Sequence, residues 1–461
     1  MKNIGNNTVQ IEALNSFGLG RRLYNAHAGK LFYVEEKNYW LVWNGKQFIC
    51  SKIKVEQMAR ELIESTIRKE LDISHRDKIT DTYKNNITHE DILKFIDNIT
   101  GIFGIQSTLA GGRLIPELTT SDSEFDTHFD FLNTPNGVVN LKTGELLAHN
   151  PEYKFTKITR TEYHPEAKSK KFETFLNKIT NNNPELIEYL QRIMGYALTG
   201  STKEQIFFIF CGDGANGKST FFNLFKSVLG LYAQSTPAQT LLATKGSVIN
   251  ADEARLQGAR FVVAVEVNDR QKFDEAKVKR LTGSDGIVAR FLRQNFFEFK
   301  PEFKLFIAVN NLPMVTPNKA IFRRIQVIPF NAKFDDDLNK DMEEELLMDS
   351  QAILAWAVEG ARKWYSEGLC VCNAVNNATE GYRKSADVVQ RFLSEDQIIK
   401  QGTGRRIPVG ELYDTYKAWA TENGEECIQK NQFGHLIKLK GFEGTKSGSI
   451  RYWQGLDLKY R

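Results

Sequence analysis

The chain has 461 residues, of which 41% are hydrophobic and 26% are charged, and its formal net charge is +4. This length and composition predict roughly three domains of ordinary soluble character. No apolar run approaches the ~20 residues of a membrane span, no signal peptide opens the chain, and the scattered cysteines lack zinc-site spacing. We therefore expect a cytoplasmic protein with no membrane contact and with free or buried thiols.

The first 167 residues predict an α+β domain. Leu31–Glu35 and Tyr39–Trp43 are strand-like segments around a polar turn and indicate a hairpin, and a helix with apolar residues at i, i+3 and i+4 follows from Val55. The segment Phe131–Tyr163 contains two turn signals and predicts a second β-rich piece. Residues 168–204 then predict a linker and a helical collar.

Between residues 205 and 385 the pattern changes to short apolar strands separated by helical stretches. Strands that are apolar on both faces and joined by crossovers predict a mainly parallel sheet covered by helices, which makes the fold class α/β. The predicted strands are Ile206–Cys211, Arg260–Val265, Lys304–Val309 and Ile325–Phe330. A long helix, Leu338–Glu367, follows them.

A compact α+β module over residues 386–461 ends the chain. From Asn431 onward it has six basic residues against two acidic ones, so 6 − 2 gives a local surplus of +4. Such a surplus is typical of a surface that faces phosphate groups, and a solvated basic tail is the alternative.

The strongest motif is the run GDGANGKS, which fits G-x-x-x-x-G-K-[ST] in full and lies between an apolar strand and a predicted helix. Glycines allow the backbone N–H groups to wrap around a phosphate group. Lys218 would neutralise the β- and γ-phosphates, and the Ser219 hydroxyl would bind Mg²⁺. The sequence therefore predicts a nucleoside triphosphate site formed by Gly212, Asp213, Gly214, Ala215, Asn216, Gly217, Lys218, Ser219 and Thr220.

Polar residues at the ends of two further strands extend this site. Glu266 follows the second predicted strand, which we expect to neighbour the phosphate loop, so its carboxylate could hold Mg²⁺ or polarise the attacking water. Asn310 follows the third strand and could position that water and sense the γ-phosphate. Asp269 and Asn311 are weaker candidates. A solvated carboxylate and an ordinary turn amide are the alternatives.

Arg323 and Arg324 directly precede the last strand of the predicted sheet. In a ring-shaped ATPase, such arginines reach the γ-phosphate bound by the neighbouring subunit and stabilise charge in the transition state. A surface ion pair is the alternative for both.

A predicted hairpin lies between Glu266 and Asn310, with strands Ile287–Leu292 and Phe296–Phe299 around a basic, polar tip. A projecting hairpin of this kind offers charge to a nucleic-acid backbone. Phe296 and Phe297 could stack on bases, but we expect them to be core residues. The residues predicted to contact DNA here are Lys279, Arg290, Arg293, Gln294 and Asn295.

Taken together, these motifs resemble the primase–helicases of phages, plasmids and viruses, whose motor is a superfamily 3 AAA+ module. The matching stretches are Gly212–Thr220, Phe261–Glu266, Lys279–Arg290, Lys304–Pro313 and Ile321–Phe330. Arg406–Leu456 is similar to the family's C-terminal winged helix, and Gly18–Trp43 to the segment that usually links primase to helicase. Stand-alone replication initiators of mobile elements, such as staphylococcal pathogenicity islands, are among the proteins it resembles.

The resemblance implies an AAA+ motor with an α+β domain before it and a winged helix after it. It implies a homo-hexamer that hydrolyses ATP with Mg²⁺ at subunit interfaces, translocates on single-stranded DNA and unwinds the duplex. Glu266 would be the catalytic carboxylate, Asn310 the sensor, and Arg323 or Arg324 the arginine acting in trans. The winged helix would grip duplex DNA at a replication origin through Lys438, Lys440 and Lys446. The upstream primase of many members is missing, so the resemblance implies a separate primase as partner.

One position departs from the family, and three other functions are possible. Val265 stands where many relatives place a second acid before the catalytic one, so Mg²⁺ ligands other than Ser219 and Glu266 are not identified by the sequence.

The chain could be another P-loop enzyme, such as a kinase or a packaging motor. It could bind origin DNA without unwinding it. The acids of Asp126–Asp130 could also form part of a polymerase metal site.

Overall fold

The computed structural model describes most of the chain, with gaps. The described residues are 10–67, 69, 80–81, 88–242, 251–265, 273–291, 295–315, 319–334, 341–425 and 427–460. Across these residues, no helix has both the length and the apolar character required to cross a bilayer.

The N-terminal region combines helices with small sheets. Its elements are β1 (Gln10–Ile11), α1 (Ser16–His27), β2 (Leu31–Val34), β3 (Tyr39–Trp43), β4 (Phe48–Cys50), α2 (Lys52–Glu61), β5 (Thr80–Asp81), α3 (His89–Ile99), α4 (Ile102–Gly112), β6 (Thr119–Thr120), β7 (Phe131–Thr134), β8 (Gly137–Asn140) and β9 (Leu146–Leu147). The predicted hairpin is confirmed as the antiparallel pair β2–β3, and it belongs to a sheet of order β4–β3–β2–β6. The second β-rich piece is the antiparallel sheet β7–β8–β9.

The middle of the chain is an α/β unit. Its elements are α5 (Lys170–Ile179), α6 (Pro184–Leu198), β10 (Phe207–Cys211), α7 (Lys218–Leu229), β11 (Ala233–Pro237), α8 (Ala251–Ala254), β12 (Phe261–Val265), α9 (Glu275–Leu281), β13 (Ile287–Ala289), β14 (Phe297–Phe299), β15 (Lys304–Val309), α10 (Lys319–Phe322), β16 (Ile325–Pro329), α11 (Met342–Met348), α12 (Ser350–Glu367) and α13 (Asn373–Ala386). The predicted parallel sheet is confirmed, with the order β11–β12–β15–β10–β16.

Both faces of this sheet are buried, which explains the continuous apolar runs of its strands. In β10, Phe208 and Phe210 pack with α6, α7 and α12 on one face, while Phe207 and Ile209 pack on the other face. The rings of Phe208 and Phe306 stack at 5.0 Å across β10 and β15. Each fully buried side chain of this size stabilises the fold by roughly 1.5–3 kcal/mol. The sheet is therefore well packed and holds the loops at its edges in fixed positions.

Three details of the prediction are corrected. The helical collar expected over residues 168–204 is divided into two helices, because Asn181 and Asn182 adopt left-handed φ angles of 52° and 57° and Asn183 caps α6. The helix expected over Leu338–Glu367 is likewise two, α11 and α12, which meet at Asp349. Strand β11 was not predicted, since its sequence AQSTP is polar and ends in proline, as an edge strand can.

The C-terminal module is a compact α+β unit, as predicted. Its elements are α14 (Val388–Leu393), β17 (Ile399–Pro408), α15 (Val409–Glu422), α16 (Lys430–Leu439), β18 (Gly444–Ser447) and β19 (Ile450–Leu458). The strands form an antiparallel sheet of order β17–β19–β18. Its core is aromatic: Tyr416 and Phe433 stack at 4.5 Å, and Phe392, Trp419 and Trp453 surround them.

Candidate functional site

The glycine-rich loop connects the carboxyl end of a central strand to a helix. Strand β10 lies between β15 and β16, and α7 begins at Lys218. Gly217 has a φ of +84°, and a Cβ there would lie 2.6 Å from Ile179 Cγ2. A Cβ on Gly212 would lie 2.0 Å from the Phe330 carbonyl oxygen. Both positions therefore require glycine, and the loop occupies the edge where parallel sheets bind ligands.

Lys218 is held by the loop itself. Its Nζ donates hydrogen bonds to the carbonyl oxygens of Gly212 at 2.6 Å and Asp213 at 3.4 Å, and to Asn216 Oδ1 at 3.0 Å. Burial lowers the pKa of the Lys218 ammonium from its usual value. Because all three acceptors are neutral oxygens, an incoming phosphate can replace one of them and supply the missing negative charge.

The Asn216 side chain braces the loop from inside. It is only 3% exposed, and its amide nitrogen donates to the Phe330 carbonyl at 2.9 Å and to the Asp213 carbonyl. It thus links the loop to the end of β16 and to Lys218 at once. Its membership of the motif was predicted from sequence, but this bracing role was not, because it depends on a strand more than a hundred residues away.

Other predicted residues lie around the same loop. Asp213, Gly214, Ala215 and Ser219 are exposed, and Thr220 is half-buried in the first turn of α7. Asn310 is exposed at the end of β15, and its carbonyl accepts a hydrogen bond from Cys211 Sγ at 3.5 Å. The structure therefore brings Asn310 next to the loop, as the sequence predicted.

The strand preceding Glu266 is not the neighbour of β10. Strand β15 lies between β12 and β10, so the expected adjacency is wrong and the third predicted strand occupies that place. Glu266 and Asp269 themselves lie outside the described residues. The last described residue before them is Val265, at the same carboxyl edge of the sheet as the loop.

The two arginines before β16 have different environments. Arg324 is only 8% exposed, and its Nη1 donates to the Gln205 carbonyl at 3.1 Å and to Thr282 Oγ1 at 3.4 Å. Arg323 is exposed. Sequence alone treated them as equivalent, whereas the fold uses Arg324 internally and presents Arg323 to the surroundings.

The predicted hairpin is present as the antiparallel pair β13–β14. Arg293 and Gln294 lie outside the described residues, and Asn295 is exposed. The expectation that Phe296 is a core residue is wrong: it is 54% exposed, and the Arg290 guanidinium lies 4.9 Å above its ring. Phe297 is half-buried and stacks on Phe291 at 5.6 Å. Lys279, on α9, lies 3.7 Å from Glu275 in an ion pair.

Basic residues of the C-terminal module fall into two groups. Lys438 on α16 and Lys446 on β18 are exposed. Lys440 instead forms an ion pair with Asp387, the residue between α13 and α14, so its charge is used within the protein. Helix α16 also exposes polar side chains that were not predicted, and their i, i+4, i+7 spacing was the available signal: Asn431, His435 and Lys438, with Gln432 beside them.

The acids considered for a polymerase site are used within the fold. Asp126 accepts hydrogen bonds from the backbone nitrogens of Thr156 at 2.8 Å and Lys157 at 3.3 Å, and Asp130 pairs with Lys142 and Tyr365. In the described part of the chain, no three His, Cys, Asp or Glu side chains are grouped as metal ligands would be.

Two family profiles and several viral proteins match the chain. The profile described as D5 N terminal like matches residues 20–181, and that of a family of unknown function matches residues 210–324. A putative helicase of Acanthamoeba polyphaga mimivirus is 28% identical over 314 residues, which are 62% of this chain and 32% of that protein. A putative helicase of Frog virus 3 is 26% identical over 290 residues, 56% of this chain and 28% of that protein.

A putative primase of African swine fever virus is 26% identical over 328 residues, 65% of this chain and 34% of that protein. The chain therefore spans about a third of the length of the curated relatives it matches. Among solved structures, the apo C-terminal region of NrS-1 has a TM-score of 0.54 at 12% identity and covers 96% of this chain and 100% of that one, which shows a shared fold. The chain is thus similar to the D5 N terminal like family over residues 20–181, and to viral proteins named as putative helicases and a putative primase.

Proposed function

We propose that the chain is the motor of a replicative DNA helicase: a superfamily 3 AAA+ ATPase that binds ATP and Mg²⁺ and moves along single-stranded DNA. The observation that carries this proposal is the loop at the carboxyl edge of the parallel sheet, where Lys218 rests on exchangeable carbonyl oxygens. Asn310 next to the loop supports it further.

The chemistry proposed for each residue follows from its residue type and its place in the sequence motifs. Lys218 and the backbone N–H groups of the loop hold the phosphates, and their positive charge offsets the charge that develops on the γ-phosphate. Ser219 and Glu266 are the candidate Mg²⁺ ligands, and Mg²⁺ would neutralise phosphate charge there. Glu266 also accepts the proton of the attacking water, and Asn310 orients that water through its side-chain amide.

A ring of subunits explains the exposed Arg323. Because Arg324 is occupied by Gln205 and Thr282, Arg323 is the arginine that can reach outside its own subunit. In a homo-hexamer it would contact the γ-phosphate bound next door, so hydrolysis would require assembly. The Arg290 and Phe296 pair on the hairpin would then face the DNA in the central channel, with charge for phosphates and a ring for bases.

The C-terminal module is proposed to be a winged helix that binds duplex DNA at a replication origin. Helix α16 presents Asn431, His435 and Lys438 from one face, and β18–β19 form a hairpin beside it that carries Lys446. A helix with amide and cationic side chains suits the major groove, where amides pair with adenine and cations contact phosphates or guanine.

The experiment that tests the motor compares Glu266→Gln with the wild type. The variant should bind ATP but fail to hydrolyse it, because the amide cannot accept the proton of the water. Scattering or electron microscopy should show ring-sized particles that persist with ATP and DNA. Equal ATPase rates in both proteins would remove Glu266 from the mechanism.

A second candidate function is origin binding with regulatory ATP binding and no unwinding. The exposed polar face of α16 favours it, since that face needs no motor to bind a duplex. A wild-type chain that binds ATP and duplex DNA but shows no ATPase activity on single-stranded DNA would support this alternative over the helicase.

A further inference from the structure

Strand β17 contains a bulge that the proposed duplex grip does not use. Gln401 pairs with Leu456, and the next pair along β17 joins Arg406 to Gln454. The four residues from 402 to 405 therefore stand opposite the single residue Gly455. Gly402 and Gly404, with φ angles of +148° and +79°, allow the backbone to leave the sheet here and return to it.

The bulge ends in two arginines that are not neutralised. Within the described residues, neither Arg405 nor Arg406 forms an ion pair with a carboxylate. Two other cations of the same module are in ion pairs: Arg391 with Glu425 at 2.5 Å, and Lys440 with Asp387. The Arg406 guanidinium instead lies 4.9 Å above the ring of Tyr452. An arginine on an aromatic ring keeps its N–H groups directed outward and its full charge available.

The register of the sheet assigns Arg406 and Tyr452 to its outer face, whereas Arg405 is half-buried in the bulge that precedes them. Ile407 and Trp453 are paired and buried in the core of the module, so their neighbours Arg406, Tyr452 and Gln454 lie on the opposite face. Helix α16 lies on the inner side: a Cβ at Gly434 would be 3.6 Å from the Trp453 ring. The bulge and α16 therefore occupy opposite sides of one sheet, and a nucleic acid bound to one leaves the other accessible.

We propose that the outer face of this sheet is a second nucleic-acid contact, in which Arg405 and Arg406 bind backbone phosphates and Tyr452 offers its ring to an unpaired base. Arginine matches phosphate geometry with two parallel hydrogen bonds, and an aromatic ring under an arginine is the arrangement that holds single strands. The inference rests on the proposed function, because the nucleic acid would be the DNA on which the motor acts.

The test measures binding of the full chain to a single-stranded and a duplex oligonucleotide of equal length, by fluorescence anisotropy over a series of salt concentrations. Each lost phosphate contact should reduce the salt dependence of the affinity by about one counterion. In the variant R405A/R406A the salt dependence should therefore correspond to about two fewer released counterions, and the affinity should fall about tenfold near physiological salt. R405K/R406K should retain the salt dependence, since it keeps both charges.

Two further variants separate the contribution of the arginine charges from that of the tyrosine ring. Lys417→Ala removes one exposed charge from α15, away from the sheet, and should leave both affinities unchanged. Tyr452→Leu keeps an apolar side chain but removes the ring, so it should weaken single-strand binding by about tenfold and leave duplex binding unchanged. Thermal unfolding of every variant should match the wild type, because none of these side chains lies in the core.

The outcomes distinguish this contact from the proposed function. A reduced salt dependence in R405A/R406A supports the contact, and the oligonucleotide that shows it identifies the strand state bound. Unchanged salt dependence on both oligonucleotides, in a wild type that binds them, overturns the contact and leaves the helicase proposal intact. A wild type that binds neither oligonucleotide overturns both.

Discussion

At both edges of the parallel sheet, buried basic side chains donate hydrogen bonds to backbone carbonyls. The two edges differ in what these hydrogen bonds do. At the carboxyl edge, Lys218 rests on oxygens of its own loop. At the amino edge, Arg260 directly precedes β12 and Lys304 begins β15, and both are only 1% exposed. Arg260 donates to the carbonyls of Phe131 and Leu198, each at 2.7 Å.

The two edges differ in which part of the protein provides the carbonyl acceptors. Lys304 donates to the carbonyl of Thr199, the residue that caps α6. Arg260 donates to the carbonyl of Leu198, in the last turn of the same helix. Carbonyls at the C-terminal end of a helix carry partial negative charge. These bonds join the sheet to another layer and cannot be exchanged without opening the core. The acceptors of Lys218 belong to a loop whose residues 213–215 are exposed, so the phosphate proposed to bind there could replace one of them. Access to the acceptors therefore separates a functional cation from a structural one.

The largest expected effect is at the carboxyl edge. Lys218→Ala should lower ATP turnover about a thousandfold, because it removes the charge that is proposed to face the phosphates, and should leave the fold intact. Steady-state ATPase assays and circular dichroism measure the two outcomes. Lys226→Ala, on the same helix, is the control. A loss of folding in Lys218→Ala would show that the two edges do not differ as described.

The matching test at the amino edge is Arg260→Ala. It should lower the free energy of unfolding by about 3 kcal/mol, because buried carbonyls lose their partner where water cannot replace it. Urea denaturation measures this change, and the exposed Arg255→Ala should be neutral. A loss below about 1 kcal/mol would mean that the other layer does not depend on this contact.

The adjacent residues Arg323 and Arg324 allow the same comparison between a basic residue with a proposed function and one with a structural role. Arg323→Ala should lower turnover about a hundredfold with an unchanged melting temperature, and mixing it with Lys218→Ala protein should restore some activity if the arginine acts in trans. Arg324→Ala should lower the free energy of unfolding by about 2 kcal/mol, because it breaks the bonds to Gln205 and Thr282. The reverse pattern would exchange the two roles.

The smallest expected effect concerns Glu302, beside Arg260 and Lys304. Burial raises the pKa of its carboxyl from 4.5 to about 7. Between these values the folded state binds more protons than the unfolded state, so this group's contribution to stability falls as pH rises from about 4.5 to about 7. Glu302→Gln should remove that fall and be more stable than the wild type at pH ~8, by on the order of 1 kcal/mol.

Urea titrations of wild type and Glu302→Gln on either side of that pH window measure the effect. Glu145→Gln, which changes an exposed carboxylate, is the control and should follow the wild-type profile. A constant difference between wild type and Glu302→Gln across the window would contradict the raised pKa.

Local sequence determined the parallel sheet and the glycine-rich loop, because strand burial and glycine spacing act within a few residues. The run GDGANGKS sufficed to predict the loop between β10 and α7. The apolar strands sufficed to predict a sheet buried on both sides, since only such a sheet tolerates continuous runs. Strand β11 escaped prediction because an edge strand is under no such constraint.

Only the tertiary structure decided strand order and the roles of side chains that look alike in sequence. That β15 rather than β12 lies next to the loop follows from long-range pairing, which no local pattern encodes. Arg324 became structural and Arg323 exposed because Gln205 and Thr282, distant in sequence, provide the acceptors for one and not the other. Phe296 is apolar yet exposed because its neighbours bury Phe297 instead. For the strand order and for Arg324, the partners come from far along the chain, so these pairings are properties of the fold.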